Sequence, residues 1–338
     1  MFAPPRTERA GGPFPGVALF LRRWGAMDIL HAVLPVFLVI AIGAAARRFR
    51  FIEESFIDTA NRLVYYLLLP ALLFYKIGTS NFREAFNAPL VIGGYAATLT
   101  TFLIATLLSR KMAITPAERG SFVQATVRGN LAYMGLPIVF SAVGDIGLTK
   151  AGILLGFMVP LINSLAVVAL VTPHDNGKQR GRENARRVAY QLATNPVILS
   201  CFLGILWSLF KIPLPLLADR TLSILSSATL PLSLLCLGGA FSFERARSGF
   251  RLAALATGMK VILLTALAVA VYRWMGLTGD DLHVGVIMMG CPAAVVTYVM
   301  ASQLKGDTDL ASTTIVLSTA VSAVTITGWL FFLNAAGW

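Results

Sequence analysis

Acidic side chains are scarce in this sequence of 338 residues, where aspartate and glutamate together number 16 against 28 lysines and arginines. None of the 16 lies in the middle of a long apolar segment, and Asp58, Asp280 and Asp281 come nearest to one. A proton or sodium antiporter usually needs paired aspartates within its membrane spans. The sequence lacks such a pair, so any coupling ion would have to use backbone groups, hydroxyls or the proton of a bound acid.

Cysteine and histidine are also rare, with three of each. Cys201, Cys236 and Cys291 fall in apolar segments without the spacing of metal ligands or disulfides, so we interpret them as packing residues. The sequence has no HExxH motif and no visible nucleophile–base pair, which argues against an enzyme. We expect no cofactor and no metal. A sensor that binds a ligand without moving it stays open, although the sequence offers no signalling domain.

Charged residues make up only 13% of the chain and apolar residues 57%. A soluble domain would carry about a quarter charged residues. Apolar runs long enough to cross a bilayer core recur along the chain, so we predict an all-α polytopic membrane protein surrounded by lipid. The net charge of +12 is then a feature of membrane topology and does not indicate a nucleic-acid partner. The ten predicted spans cover residues 29–46, 56–75, 88–109, 121–143, 149–172, 188–210, 220–241, 250–274, 281–303 and 310–336.

The first 26 residues, rich in proline, glycine and arginine, differ from the rest of the chain. Their apolar patch, GVALFL, is too short for the core of a signal peptide. Met27 opens directly onto the first span. We therefore expect either that Met27 is the natural start or that residues 1–26 form a disordered leader.

Lysine and arginine concentrate in the connections after spans 1, 3, 5, 7 and 9, above all in the loop 173–187. Basic connections stay in the cytoplasm, so we predict a bacterial inner-membrane protein whose two termini lie in the periplasm.

Prolines reveal an internal duplication. Two pairs stand 161 residues apart and a third pair 155 apart: Pro35 and Pro196, Pro70 and Pro231, Pro137 and Pro292. Each pair holds the same place in the order of spans, which predicts two five-helix repeats, 27–172 and 188–338, joined by the basic loop 173–187. Because five is odd, the second repeat must enter the membrane from the opposite side, an arrangement typical of secondary transporters.

Pro137 and Pro292 lie in the fourth span of each repeat, in MGLPIVF and MGCPAAV, each two residues after a glycine, which is Gly135 in the first repeat. Proline and glycine interrupt a helix, and freed backbone groups are tolerated at membrane depth only inside protein or beside water. We therefore predict that helices 4 and 9 are broken and cross, with half-helix ends aimed at an anion. A simple kink between packed helices is the alternative for a lone proline.

Polar residues near these prolines are candidates for a binding site. Arg128 and Lys260 are cations inside predicted spans, where they either balance a substrate carboxylate or extend toward the headgroups. Asn130 suits hydrogen bonding to a carboxylate, although buried asparagines also serve structure. Thr297 and Tyr298 are the candidates from the second repeat.

These segments resemble the auxin efflux carrier family, which includes plant auxin exporters and bacterial permeases for malonate and malate. The resemblance runs from Met27 to Trp338, and four stretches carry it: GNLAYMGLP, NPVILSCFLGILW, CPAAVVTYVMA and STTIVLSTAVS. It implies ten helices in two inverted repeats, crossing broken helices 4 and 9, and external termini. It also places the functional asparagines of the family on Asn130 and Asn195. The plant exporters have another asparagine at the position of Val197, so an auxin-like substrate is not expected here.

Together these features predict a secondary carrier that moves a small organic anion, such as a mono- or dicarboxylate, by alternating access. An ion-coupled antiporter or a sodium symporter of related fold is the alternative within the same class. Whether a proton or sodium is coupled, and whether the protein forms a homodimer, stays open from the sequence.

Overall fold

The structure, a computed structural model, describes residues 26–174, 186, 189–190, 193–240 and 249–338, and these residues are helical throughout apart from short connections. Residues 1–25 of the predicted leader and most of the basic loop 173–187 lie outside the described residues. Fourteen α-helices are named here, with their bounds as follows: α1 Ala26–Arg48, α2 Glu54–Leu63, α3 Leu69–Gly78, α4 Phe82–Ala85, α5 Ala88–Arg110, α6 Pro116–Val127, α7 Leu136–Val171, α8 Pro196–Leu209, α9 Leu216–Gly239, α10 Phe250–Gly258, α11 Leu264–Trp274, α12 Gly279–Gly290, α13 Val296–Gln303 and α14 Thr308–Ala335.

Six continuous helical stretches are long and apolar enough to cross a membrane: Met27–Arg48, Ala88–Arg110, Leu131–Val171, Leu216–Gly239, Phe250–Trp274 and Thr308–Ala335. The chain is therefore an all-helical, multi-pass membrane protein. The helix α7 covers parts of two predicted spans, and Gly144, with a positive φ of 79°, interrupts it between them. A positive φ strains residues other than glycine, so glycine suits this turn.

Two prolines, Pro70 and Pro137, follow π-helical segments, and the second of them was predicted to break its helix. Pro70 is the second residue after the segment Val64–Leu68, and Pro137 is the second residue after Leu131–Gly135. In a π-helix the hydrogen bonds run from i to i+5, so the ladder is already shifted where proline lacks its own donor. The helix therefore continues through both prolines, and the prediction that Pro137 itself marks a break is not what the structure shows.

Glycines bring two pairs of helices into backbone contact. Between α1 and α9, a Cβ on Gly43 would lie 2.3 Å from the carbonyl oxygen of Leu235, and one on Gly238 only 1.9 Å from that of Ile40. Between α3 and α8, a Cβ on Gly204 would lie 3.2 Å from a backbone oxygen of α3. Small residues allow such close approach in membrane helices, where packing replaces the hydrophobic effect as the driving force.

The start of α6 is fixed by the sequence TPAE. Thr115 and Glu118 form a capping box, and Pro116 occupies the first turn, where its missing donor costs nothing. The start of α14 is tied to the same place, because the Asp307 amide donates to the Ala117 carbonyl at 3.2 Å and the Ser121 hydroxyl donates to the Asp307 carbonyl at 2.8 Å. The helix α6 thus reaches the interior from an anchored end.

Candidate functional site

Two helical breaks meet in the interior of the protein. The first lies between α6 and the π segment Leu131–Gly135, at residues 128–130, and the second lies between α12 and α13, at residues 291–295. The amide of Asn130 donates to the Pro292 carbonyl at 2.7 Å, and the amide of Ala294 donates to the Arg128 carbonyl at 2.9 Å. Gly129 and Ala293 therefore face each other as an antiparallel bridge. Each break satisfies backbone groups that the other has freed.

Arg128 is buried beside this bridge, with 7% of its surface exposed. One guanidinium nitrogen, Nη2, donates to the side-chain oxygen of Asn163 on α7 at 2.8 Å. The other two, Nε and Nη1, are buried and have no hydrogen-bond partner among the described residues. Buried donors are nearly always satisfied in folded proteins, so two free donors on one cation indicate a place for an anion.

Two further amides and a phenol lie near Arg128. The side-chain nitrogen of Asn130 makes no hydrogen bond within the described residues, whereas its oxygen accepts from the Tyr133 amide at 3.3 Å. Asn195 caps α8 by accepting from the amide of Val197 at 2.9 Å. Tyr65, in the π segment after α2, is close enough to interact with both Asn195 and Arg128. The structure thus places Asn130 on the same break as Arg128 and connects Asn195 to Arg128 through Tyr65.

Asn163 and Tyr65 belong to this group and were missed from the sequence. Asn163 is the one strongly polar residue in VPLINSLAVV, three residues after Pro160, which is a signal that could have been followed. Tyr65 gave no such signal in the sequence, because aromatic residues are common in membrane helices.

Lys260 also lies beside the bridge and is 1% exposed. Its ammonium donates to the Met289 carbonyl, in the last turn of α12, at 2.8 Å. A Cβ on Gly129 would lie 3.2 Å from the lysine Nζ, so the amine packs against both breaks. The last carbonyls of a helix carry partial negative charge, which favours a cation there. In the structure, therefore, Lys260 contacts the crossing itself, through the Met289 carbonyl and Gly129.

The remaining predicted residues are divided between the crossing and its surroundings. Pro292 lies in the second break. Gly135 allows the π segment to approach α12 closely, since a Cβ on Gly135 would lie 2.7 Å from Met288 Sδ. Thr297 is fully buried at the start of α13, where its carbonyl accepts from Gln124 at 3.0 Å and its hydroxyl has no described partner. Tyr298 is half-buried in the same turn.

A cavity of about 460 Å³ opens on the far side of the π segment from the bridge. It lies between α1, α3 and α9 on one side and the start of α7 on the other, and Pro137 is in its wall. Pro137 is seven residues after Asn130, or about 10 Å along a helix. Polar groups in the cavity include Ser226, whose buried hydroxyl has no described partner, and the ion pair between Lys76 and Asp145, at 2.5 Å.

Lys260→Met should reduce transport much more than it reduces stability. Methionine is close in length to lysine and avoids burying a charge, which offsets the loss of a donor to the Met289 carbonyl. We expect the free energy of unfolding to stay within about 2 kcal/mol, while transport falls about tenfold because the end of α12 loses its cation.

Thermal unfolding in detergent and solute uptake into proteoliposomes measure the two effects. Lys260→Arg should keep part of the activity, and Lys111→Met, an exposed change at the end of α5, should match the wild type. Normal uptake by Lys260→Met would show that this ammonium does not organise the crossing.

A helical membrane protein with two crossing breaks and a buried, incompletely bonded arginine has the features of a membrane transport protein. Comparison with known families agrees: residues 28–330 match the family described as "Membrane transport protein". The chain belongs to this family, which contains the auxin efflux carriers, and the resemblance seen in the sequence is confirmed.

Three relatives illustrate the range of the family. An "Uncharacterized transporter" of Methanothermobacter thermautotrophicus is 25% identical over 306 residues, covering 90% of this chain and 98% of the relative. A "Putative malonate transporter" of Rhizobium meliloti is 24% identical over 318 residues, covering 91% and 97%. "Auxin efflux carrier component 1" of Arabidopsis thaliana is 30% identical over 138 residues, which is 39% of this chain and 22% of the plant protein.

Proposed function

We propose that this protein is a secondary carrier that moves a small organic anion across the membrane by alternating access. The observation that carries the proposal is Arg128, buried at the crossing with two guanidinium donors that no described residue satisfies. A carboxylate accepts two parallel hydrogen bonds from one arginine, so it fits these donors in number and in charge. The free amide nitrogen of Asn130 lies on the same break and offers a further donor.

The substrate we propose is a small mono- or dicarboxylate. The donors around Arg128 suit a carboxylate, and one relative over nearly the whole chain is named as a malonate transporter. The position after Pro196, where plant exporters have an asparagine, holds Val197 here, and its side chain is buried. An indole acid is therefore not the substrate that we favour.

The architecture that we propose for this activity is ten membrane helices in two inverted repeats, 27–172 and 188–338. The breaks at 128–130 and 291–295 both fall in the fourth predicted span of their repeat, which supports this architecture. The glycine contacts follow the same rule: Gly43 and Gly204 stand 161 residues apart, like the first two proline pairs. Under this correspondence the α1–α9 contact and the α3–α8 contact are two copies of one interface.

Alternating access assigns a separate part to each group of helices. The helices α1, α2, α3, α8 and α9 would form one unit, and the helices that carry the crossing would form the other. The cavity beside Pro137 lies between α1, α3, α9 and α7, and so between these units. Tyr65 of the first unit is close enough to interact with Arg128 of the second. Sliding of one unit against the other would then open the substrate site to each side of the membrane in turn.

We place the protein in a bacterial inner membrane with both termini in the periplasm, because the basic connections favour the cytoplasm. The large cavity lies at the end of the molecule away from these connections, since its wall includes the end of α3 and the start of α7. It would be the route from the periplasm.

Asn130→Ala is expected to abolish saturable uptake while the protein stays folded. The change removes a donor from the break and leaves the backbone hydrogen bond to Pro292 in place. The measurement is uptake of radiolabelled malonate, malate and indole-3-acetate into proteoliposomes at matched protein content. Asn81→Ala, an exposed change in the connection after α3, serves as the control. Saturable uptake that survives Asn130→Ala would move the substrate site away from the crossing.

A further inference from the structure

Lys76, at the end of α3, stands between two cavities. It belongs to the wall of the cavity of about 460 Å³ that reaches Pro137, which is called the inner cavity here. It also belongs to the wall of a second cavity of about 440 Å³, the outer pocket, which is lined by the end of α3, the connection to α4, α4 and the start of α7. Along α3 the inner cavity extends from Lys76 back to Leu72, toward the middle of the protein. A solute that moves from the outer pocket into the inner cavity therefore passes Lys76.

The ion pair of Lys76 joins a partly buried cation to an exposed anion. Among the described residues that line the inner cavity, Lys76 is the one cation, and most of the others are apolar. Its ammonium binds the Asp145 carboxylate at 2.5 Å, and 24% of the lysine side chain is exposed against 67% of the aspartate side chain. An exposed carboxylate leaves such a pair at little cost, because water replaces its partner. The lysine stays in the cavity wall and requires another acceptor.

The other charged side chains of the outer pocket are held more firmly or lack a cation. Lys150 binds Asp281 at 2.6 Å, and the side chains of this pair are only 16% and 25% exposed. Both residues lie on helices of the unit that carries the crossing. Glu84 accepts from the side chain of Asn81 at 2.6 Å. Of the two lysines in this pocket, Lys76 is therefore the one whose anion is free to leave.

We propose that Lys76 is the periplasmic capture site of this carrier, where the carboxylate of an incoming organic anion replaces that of Asp145. The proposal rests on the proposed function and adds a second binding position for the same substrate, ahead of the crossing. Asp145 stands in for the substrate while the capture site is empty. Because Lys76 lies on α3 and Asp145 on α7, arrival of the anion also removes a contact between the two units.

The two members of the pair should respond to neutralisation in opposite directions. Lys76→Gln removes the capturing charge, so the half-saturating concentration of malonate on the periplasmic side should rise about tenfold. Asp145→Asn removes the competing carboxylate and leaves Lys76 open for a larger fraction of the time, so this concentration should fall about threefold. An ion pair with a merely structural role would lose the same contact in both variants, and both would then shift in one direction.

The test measures initial uptake of radiolabelled malonate over a range of concentrations into right-side-out and inside-out bacterial membrane vesicles with equal amounts of the protein. Vesicles from cells without the protein give the background. The opposite shifts are expected in right-side-out vesicles, which present the periplasmic side to the label. In inside-out vesicles both variants should stay within about twofold of the wild type, because Lys76 then lies on the exit side. Arg47→Gln and Glu54→Gln neutralise an ion pair of similar exposure between α1 and α2 and should change neither value.

Three results would overturn the capture site. Half-saturating concentrations that shift in the same direction in Lys76→Gln and Asp145→Asn, or stay at the wild-type value in both, would do so and leave the carrier function standing. Shifts confined to inside-out vesicles would place the outer pocket on the cytoplasmic side. Background uptake by the wild type in both kinds of vesicle would contradict malonate transport itself, and capture of malonate with it. Lys76→Arg keeps the charge and should stay within about threefold of the wild type, which separates loss of charge from loss of fold.

Discussion

Replacing Arg128 with glutamine is expected to lower the uptake of the substrate anion by about 100-fold, or about 2.7 kcal/mol in transition-state terms. Glutamine keeps a hydrogen-bonding group but loses the charge and the fork of donors formed by Nε and Nη1. Both donors are buried and lack described partners, so their hydrogen bonds to a substrate carboxylate would form without competition from bulk water. Uptake into proteoliposomes over a range of substrate concentrations measures the loss.

Two controls separate this role from a general loss of structure. Arg128→Lys keeps the charge without the fork, so uptake should fall about tenfold, between wild type and glutamine. Arg110→Gln removes an exposed arginine at the end of α5 and should leave uptake unchanged. If Arg128→Gln took up malonate at the rate of Arg110→Gln, Arg128 would not be the residue that holds the anion.

Gly238→Ala should give the largest loss of stability of any single change considered for this chain. The added Cβ would lie 1.9 Å from the carbonyl oxygen of Ile40, and the backbone of α1 cannot move aside as a side chain would. The helices α1 and α9 must therefore separate, which costs about 3 kcal/mol in the free energy of unfolding. We expect the apparent melting temperature in detergent to fall by about 5 °C or more.

Gly258→Ala is the matched control for this change. Gly258 also lies in a membrane helix, at the end of α10, but a Cβ there would meet no atom within 4 Å. Alanine should be neutral or stabilise the helix by up to about 1 kcal/mol, because glycine loses more conformational freedom on folding. Equal melting temperatures for the two variants would show that α1 and α9 are not packed as closely as the structure describes.

The helices could be predicted from the sequence because membrane spans are defined by long apolar runs, and these are visible without tertiary information. The position of the first break could not. Pro137 suggested it, yet the break lies at residues 128–130, where the ladder of hydrogen bonds ends at an arginine, a glycine and an asparagine. The π segment before Pro137 shifts the ladder of hydrogen bonds, so that the helix continues although proline lacks a donor. The local sequence has no pattern that predicts a π-helix. Pro292, which has no such segment before it, does lie in its break.

Some residues of the candidate site stand out in the sequence and others do not, for a similar reason. Arg128 and Asn130 stand out because charge and amide groups are costly in an apolar segment. The role of Lys260 depends on which acceptor its ammonium reaches, and that acceptor is a backbone carbonyl, which has no signature in sequence. Tyr65 lies near Arg128 only because the π segment after α2 packs close to the crossing. Contacts between segments so far apart in the chain cannot be predicted from a local sequence pattern.

The backbone bridge between the two breaks has a consequence for how the protein is made. Asn130 leaves the ribosome well before Pro292, the residue whose carbonyl accepts from its amide. Until Pro292 and Ala294 have been inserted, the Asn130 amide and the Arg128 carbonyl lack their partners, whether the segment is still in the insertion machinery or already in the membrane. Synthesis of the first break therefore leaves backbone groups unpaired until the second break has entered the membrane.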